Sequence, residues 1–400
     1  MKSDKINTRL YFLIFFLSFL GYYAILLLGF NLGYSQESRK VTVPLRLGII
    51  LLMGILTLRN LKNLHGSSTL SIFIFFSIFY VGRIFIDYYN GIDYYISVEE
   101  IFLYFIAFDF IPFTLLAIQN IKEKYLTAIF HALFYGGLAF SILAIVFYGK
   151  YIGTVGRLSN RRVDEEVLSP LILSYNSVMV IGVLIFYLLT HRVKKWKKIM
   201  MLSAIGLSVI PFFLGASRGS LLALFVPFII YFYYSVGIKE FFKTIVIVII
   251  VIVGLIFLDD YLGSGLLKRF LSTSDSVRGA ADPRVLRYKS SFNQFLENPY
   301  FGDSIAVRGF KNYPHNIFLE VLQSVGIVGF IPFLVILGRA FKICLNIFKY
   351  RTDLIWVAVV FIQALMHNMV SGGFYKGFWT WTSLGLIFAV GHRMNKDKIK

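Results

Sequence analysis

The sequence predicts an all-α protein that crosses a membrane many times. Apolar residues make up 58% of the 400-residue chain and charged residues only 15%, whereas a soluble domain carries about a quarter charged residues. The mean hydropathy is +0.73. The first apolar run, 10–30, holds no charged residue, and about 20 apolar residues are enough for a bilayer-spanning helix. Because similar runs follow it, we interpret this run as a membrane helix and not as a cleavable signal peptide.

Apolar runs of this kind recur along the chain, and they predict about twelve transmembrane helices. The runs cover 10–30, 41–58, 67–86, 98–118, 125–148, 167–190, 199–214, 219–236, 241–258, 316–344, 354–370 and 374–391. Lys376 interrupts the last of them. In this interpretation the chain is one integral membrane domain. Residues 1–258 hold the first nine helices, 259–314 form one large loop, and 315–400 hold the remaining helices and a cytoplasmic tail.

The positive charge of the chain is concentrated in alternate connections between the runs. Lys and Arg cluster at the N-terminus, in 191–198 and after the last run, and they are sparser in the intervening short connections. Because short cytoplasmic loops are enriched in Lys and Arg, we predict that both termini are cytoplasmic. The loop 259–314 is then extracytoplasmic, in the periplasm or its equivalent. We assign the net charge of +19 to membrane topology and anionic lipid, and not to nucleic-acid binding.

Part of the long loop has the pattern of an amphipathic helix. Its apolar stripe comprises Val285, Tyr288, Phe292 and Phe295, which recur at helical spacing. Pro283 suits the first helical position, and Asn298-Pro299 ends the helix. Arg284 and Arg287, three residues apart, then share a face and can bind one phosphate together. The alternative is that they form the solvated face of a surface helix.

Arg218 lies in a short turn of small residues between the seventh and eighth runs, on the predicted outer side. Small residues in Gly215–Ser220 allow the backbone to turn sharply and to approach a ligand closely. Arg218 is therefore a candidate cation for an anionic lipid head group. The alternative is a snorkelling arginine at the membrane interface.

His315 lies where the long loop re-enters the membrane, directly before Asn316, which is a good helix cap. A histidine in this position is either a catalytic base or a structural residue, and a lone histidine is more often structural. Ionisable residues inside or near the ends of the predicted spans are secondary candidates, because charge at membrane depth is costly and tends to line a cavity. These residues are Arg46, Arg83, Asp109, His131 and His367.

The motifs of metal and nucleotide chemistry are absent from the sequence. It contains no His/Cys cluster with metal-ligand spacing, no phosphate-binding glycine loop and no paired-carboxylate motif in the outer loop. We therefore expect neither a metal nor a cofactor. The single cysteine, Cys344, can form no internal disulfide.

Several short fragments, taken in order, resemble the O-antigen polymerase and O-antigen ligase superfamily. The fragments are Ser217-Arg218-Gly219, the segment from Arg284 through Tyr288 to Asn298-Pro299-Tyr300-Phe301-Gly302, Pro314-His315-Asn316-Ile317-Phe318-Leu319-Glu320, and Gly326-Ile327-Val328-Gly329. The resemblance covers roughly the C-terminal half of the chain. The first six runs agree with this family only in their number and hydrophobicity.

The resemblance implies a metal-independent, inverting glycosyltransferase of the bacterial inner membrane, with a GT-C type of fold and an active site that faces the periplasm. The expected partners are an undecaprenyl-diphosphate-linked oligosaccharide, the lipid bilayer and a chain-length regulator protein, with no nucleic acid. Arg218 and Arg284 match the essential arginines of the family, and His315 matches its essential histidine. Arg287 occupies a position that varies in the family. The residues assigned to substrate binding are Arg287, Tyr288, Arg308 and Asn316.

The resemblance leaves two activities open. A polymerase joins lipid-linked repeat units into O-antigen or capsular polysaccharide, and a ligase transfers the finished glycan to lipid A-core. We favour the polymerase from the sequence. A lipid-linked oligosaccharide flippase or another transporter is a further alternative, although transporters usually contain internal repeats and this sequence shows none. A receptor or assembly scaffold is the remaining class.

Overall fold

The computed structural model describes residues 2–31, 39–152, 158, 168–236, 257 and 283–399. Within these ranges the regular elements are helices, without a β-strand, and one isolated antiparallel bridge joins Val307 to Asn312. The predicted all-α class is therefore confirmed for the described part of the chain.

The longer helices account for most of the described residues. In chain order they are α1 (Lys2–Ser18), α2 (Leu20–Asn31), α3 (Arg39–Arg59), α4 (Ser68–Tyr89), α5 (Val98–Ala117), α6 (Glu123–Tyr148), α7 (Pro170–Thr190), α8 (Lys195–Gly215), α9 (Arg218–Tyr231), α10 (Pro283–Glu297), α11 (Ile317–Tyr350), α12 (Ile355–Val370) and α13 (Phe378–Ile399). Among the described residues, nine helices are long and apolar enough to cross a membrane, or ten if the bent pair α1–α2 is one span. The protein is thus a membrane protein with many spans, and the count of twelve stays a prediction.

Three of the predicted runs do not correspond to one straight apolar helix among the described residues. The run 10–30 is not one straight helix, because α1 and α2 meet at a bend of 59°. A Cβ added to Gly136 would lie 2.8 Å from the backbone nitrogen of Gly21, so glycine allows α6 to approach close to this bend. The run 241–258 lies outside the described residues apart from Phe257. The last run corresponds to α13, which does not meet the criteria of length and apolar character that the nine helices satisfy.

The chain divides into two compact units. Unit 1 comprises the described residues of 1–59, 121–272 and 344–366, and unit 2 comprises those of 60–120, 273–343 and 367–400. In unit 1, α7 packs against α8, and α6 packs against α1, α2 and α8. One apolar cluster of this unit includes Leu27, Phe140, Leu158, Leu173 and Leu214. Because lipid tails are as apolar as these side chains, close van der Waals packing, and not removal from water, is what such a cluster contributes between membrane helices.

The turn before α9 is held tightly against α7 within unit 1. A Cβ added to Gly215 would lie 2.3 Å from the Pro170 carbonyl oxygen, so a larger residue would clash with backbone. Ala216 has φ +41 and ends α8, and the backbone N–H of Ser217 donates to Ser174 Oγ at 3.3 Å. The predicted sharp turn of small residues is confirmed.

Unit 2 is built around an aromatic core. Phe73 of α4 lies 4.2 Å from Phe113 of α5 and 5.1 Å from Trp381 of α13, measured between ring centroids. Tyr80 lies 4.5 Å from Phe374, in the connection between α12 and α13. All five side chains are fully buried, and large buried aromatic surfaces of this kind contribute strongly to packing.

Two glycines join the loop after α10 to a break in α11. Gly326 interrupts α11 with φ +59 and ψ −164, a conformation that is essentially restricted to glycine. A Cβ added to Gly326 would lie 2.4 Å from the Tyr300 carbonyl oxygen, and a Cβ added to Gly302, which has φ +72, would lie 2.4 Å from the Ser324 carbonyl oxygen. The N–H groups of Ile327 and Val328 donate to the carbonyl oxygens of Pro299 and Tyr300 at 2.9 and 3.1 Å. The loop therefore satisfies donors that the helix break releases.

Arg83 of α4 also stabilises this loop. Its guanidinium donates to the carbonyl oxygens of Phe301 and Gly302, each at 2.9 Å, and also to that of Asp303. One turn further along α4, Asp87 accepts a hydrogen bond from the Ile305 N–H at 3.0 Å and another from the Tyr94 hydroxyl. These hydrogen bonds fix the backbone of the loop between Phe301 and Ile305.

Candidate functional site

Unit 2 contains most of the residues that were predicted to act in catalysis or binding. The first half of the predicted outer loop, up to Asp282, lies outside the described residues. The predicted amphipathic helix is confirmed as α10, which begins at Pro283 and ends at Glu297, one residue before Asn298.

The buried face of α10 differs from the apolar stripe in the sequence. Ser291 and Gln294 are each 1% exposed, whereas Val285 and Phe292 are each 45% exposed. The reason is a set of polar contacts, in which Gln294 Nε2 donates to Ser304 Oγ at 2.8 Å and to the Ala306 carbonyl oxygen at 3.0 Å. Hydrogen bonds to the following loop, and not burial of the apolar stripe, orient this helix.

His315 is positioned by its backbone and by one ring nitrogen. It has φ +64, which is uncommon for a residue other than glycine. Asn316 follows and caps α11, its Oδ1 accepting the N–H groups of Phe318 and Leu319 at 3.0 and 3.1 Å. His315 Nδ1 lies 3.1 Å from the Ser371 carbonyl oxygen. Because a carbonyl oxygen only accepts, Nδ1 carries the proton, and Nε2 of the neutral ring keeps a lone pair.

The surroundings of His315 favour the neutral imidazole. Burial lowers the pKa of His315, and its contact with the Ser371 carbonyl oxygen opposes that effect. The positive charges of Arg287, Arg284 and Lys376 lower the pKa further. A neutral ring with a lone pair at Nε2, close to three cations, has the properties of a general base beside an anion-binding site.

The two arginines of α10 lie in different environments. Arg284 is exposed in the first turn, and Arg287 is half-buried. The guanidinium of Arg287 stacks over the Phe310 ring at 5.4 Å. Its Nε is buried and has no hydrogen-bond partner among the described residues. A buried donor of this kind is usually satisfied by a protein group, water or a ligand. An anionic phosphate oxygen could accept the hydrogen bond from Arg287 Nε.

The structure assigns local contacts to the other predicted binding residues. Arg308 is exposed and pairs with Glu297 and with Asp303, the latter at 2.6 Å. The side-chain oxygen of Asn316 is used in capping α11, and Tyr288 is half-buried on α10. These contacts give Arg308 and Asn316 structural roles. Their predicted roles in substrate binding, and that of Tyr288, stay predictions.

Arg218 is exposed at the first position of α9, in unit 1. The turn that precedes it is fixed by Gly215 and Ser217. The catalytic role that the resemblance implies for Arg218, together with Arg284 and His315, stays a prediction.

Arg83 and Asp109, two of the secondary candidates, lie in unit 2. Arg83 stabilises the loop around Gly302 through backbone carbonyl groups. Asp109 is fully buried in a π-helical turn of α5, Phe105–Phe110. Neither of its carboxyl oxygens has a hydrogen-bond partner within the described ranges.

A second loop beside His315, residues 371–377, was not predicted from the sequence as part of the site. Its Ser371 carbonyl oxygen contacts His315 Nδ1, and the Phe374 N–H donates to Glu320 Oε2 at 2.7 Å. The exposed ammonium of Lys376 lies over three tyrosine rings, within 5.9 Å of each centroid. The signal in the sequence was the charge of Lys376 inside an otherwise apolar run.

Comparison with known protein families supports the resemblance that the sequence fragments indicated. Residues 203–334 match a family model described as O-antigen ligase. The matched segment includes Arg218, Arg284 and His315. The match confirms the resemblance to the O-antigen polymerase and O-antigen ligase superfamily. No curated protein matches the chain.

Proposed function

We propose that this protein is a glycosyltransferase that moves a glycan from undecaprenyl diphosphate to a hydroxyl group of an acceptor. The main observation in favour of this proposal is the arrangement of residues around His315. Its Nδ1 is held by the Ser371 carbonyl oxygen, and the charges of Arg284 and Arg287 are close enough to lower its pKa. The family match at 203–334 supports the same class of reaction.

In the proposed reaction, His315 acts as the general base. The acceptor hydroxyl oxygen attacks the anomeric carbon of the donor sugar while Nε2 of His315 takes the hydroxyl proton. The bond between that carbon and the diphosphate oxygen breaks, and both electrons leave with the lipid diphosphate. Attack from the side opposite the leaving group inverts the anomeric centre. The proton on His315 then passes to the released diphosphate or to solvent, which restores the neutral ring. A positioned base of this kind contributes roughly 10²–10⁴-fold to a rate.

Arginine side chains stabilise the leaving group in this proposal. The departing diphosphate gains negative charge as the bond breaks, and a guanidinium group can bind two phosphate oxygens at once. Arg284 and Arg287 supply such groups from α10, and Arg218 is assigned the same task from the start of α9. Fixed positive groups that meet developing charge are usually the largest single contribution to catalysis. The reaction therefore proceeds in this proposal without a divalent metal ion.

The proposed location of the reaction is the periplasmic face of the inner membrane, with both termini cytoplasmic. Within the superfamily we propose the polymerase activity, in which lipid-linked repeat units are joined. The ligase activity, in which a finished glycan is moved to lipid A-core, is the second candidate. It is favoured by the description of the matched family as O-antigen ligase.

A deletion of the gene, complemented with variants, tests the proposal and separates the two activities. Loss of a polymerase leaves a single repeat unit on its final carrier, whereas loss of a ligase leaves long lipid-linked polymer unattached. We expect His315→Ala to fail in complementation although the protein is present in the membrane. The matched control is His191→Ala, which removes a histidine that stacks on Tyr187 in the predicted cytoplasmic segment. Full polymer synthesis with His315→Ala would refute the role of His315.

Turnover by the purified protein separates a glycosyltransferase from a transporter or a scaffold. The full chain, reconstituted with a lipid-diphosphate-linked oligosaccharide, is expected to lengthen or transfer the glycan. A protein that binds or moves the lipid without forming a new glycosidic bond would contradict the proposal.

A further inference from the structure

The loop 371–377 is attached to the segment that carries His315 at two points. His315 Nδ1–H donates to the Ser371 carbonyl oxygen at 3.1 Å, and Glu320 Oε2 accepts the Phe374 N–H at 2.7 Å. Between these contacts, a Cβ added to Gly373 would lie 2.8 Å from the Tyr313 ring, so glycine lets the loop lie directly against Tyr313. The position of the loop is thus determined relative to His315.

This attachment determines the position of Lys376. Its ammonium nitrogen lies 5.6, 5.9 and 5.7 Å from the ring centroids of Tyr104, Tyr313 and Tyr375, respectively. A cation within about 6 Å of a ring centroid is attracted to the ring face. Tyr313 also meets the His315 ring edge to face, with centroids 4.6 Å apart. Lys376 and His315 therefore contact the same tyrosine.

Three cations lie close enough to the imidazole of His315 to affect its charge. Arg284 and Arg287 act on His315 from α10, and Lys376 acts from the loop 371–377. Tyr313 packs on the ring, and Ser371 contacts Nδ1. Positive charges that gather around one point repel one another and attract anions to it. A bound anion would offset this repulsion.

We propose that Lys376 binds the diphosphate of the lipid-linked glycan together with the arginines of α10, and that Glu320 is a positioning residue for the loop that carries it. This inference rests on the proposed function. A lysine ammonium is a compact charge with three donors that can bind either phosphate group. Its contact with Tyr313 holds it beside a ring that also packs on His315. Glu320 is fully buried, and its bond to the Phe374 N–H holds the loop.

Binding of undecaprenyl diphosphate to the full-length protein in nanodiscs tests the role of Lys376. Loss of one charge-assisted hydrogen bond is expected to raise the Kd of Lys376→Met on the order of tenfold, and Lys376→Gln should behave alike. Lys376→Arg keeps the charge and should stay within about threefold of wild type. The matched control is Lys289→Met, which removes an exposed charge from α10, five residues after Arg284. It should leave the Kd unchanged.

The pH dependence of kcat/KM distinguishes an electrostatic role of Lys376 from a purely structural one. Because the charge of Lys376 lowers the pKa of His315, its removal raises that pKa. The acidic limb of the profile should then move to higher pH in Lys376→Met and stay in place in Lys289→Met. An unchanged Kd and an unchanged profile in Lys376→Met would overturn the inference. Turnover by the wild-type protein in the same assay would leave the proposed function intact, whereas absence of turnover would count against that function.

The lipid composition of the nanodisc distinguishes two sources of phosphate. If Lys376 binds the substrate, the effect of Lys376→Met on the Kd is the same in zwitterionic and anionic nanodiscs. If the effect occurs only with anionic lipid, Lys376 binds the head groups of bulk phospholipid, and the inference is wrong.

Discussion

Replacing Gly326 with alanine is expected to destabilise unit 2 strongly. The backbone at Gly326, with φ +59 and ψ −164, costs a residue with a Cβ about 1–3 kcal/mol. The new Cβ would also lie 2.4 Å from the Tyr300 carbonyl oxygen. The loop must then shift and lose its bonds to the Ile327 and Val328 N–H groups, at about 1 kcal/mol each. The total is about 3–5 kcal/mol.

Gly338→Ala is the matched control for this substitution. Gly338 lies in the same helix, and a Cβ added there meets nothing within 4 Å. Alanine in a helix interior is favoured over glycine by roughly 0.5–1 kcal/mol. The apparent Tm of the purified protein in detergent should therefore fall by several degrees in Gly326→Ala and stay equal or rise in Gly338→Ala. Equal Tm values for Gly326→Ala and the wild type would refute the account of the helix break.

Three further substitutions or conditions test other parts of the structure. Arg83→Met should lower the stability by about 3 kcal/mol and make the loop around Gly302 exchange amide hydrogens faster, because three carbonyl groups lose a charged donor. The control Arg339→Met removes bonds to two hydroxyl groups at the other end of α4 and should cost less than about 1 kcal/mol. Equal exchange rates of the two variants in that loop would contradict the stabilising role of Arg83. Glu320→Gln keeps an acceptor for the Phe374 N–H and should retain the KM for the lipid donor, whereas Glu320→Ala should raise it; equal KM values would exclude positioning by Glu320. For wild-type enzyme, kcat/KM should fall on acidification through a pKa below the ordinary histidine value near 6.5, because burial and neighbouring cations lower the pKa of His315 and the base must be neutral. An acidic limb above pH 7 would contradict that assignment.

The sequence was informative where a local rule decides the structure. Pro283 and Asn298 predicted the limits of α10, and Asn316 predicted the cap of α11, because caps and proline positions depend on neighbouring residues. The small residues before Arg218 predicted a sharp turn for the same reason. Long apolar runs indicated the helices themselves, since span length follows from bilayer thickness.

The sequence was less informative where distant residues decide the structure. The apolar stripe of α10 suggested its packing, yet Gln294 is buried through contacts with Ser304 and Ala306 that no spacing rule describes. The sequence indicated that Arg83 lines a polar cavity, whereas in the structure it binds three backbone carbonyl groups. Local pattern could not indicate these partners, because they lie more than 200 positions away. The approach of Lys376 to His315 depends on the loop 371–377. Contacts of this kind follow from tertiary structure and override local pattern.

The rate at which purified protein releases undecaprenyl diphosphate from a lipid-linked oligosaccharide is the decisive measurement for base catalysis by His315. We expect release that requires an acceptor glycan and forms one new glycosidic bond per diphosphate. We also expect His315→Ala to bind the donor normally but to release diphosphate at least about 100-fold more slowly than the wild type. Release at the wild-type rate by His315→Ala would show that His315 is not the general base.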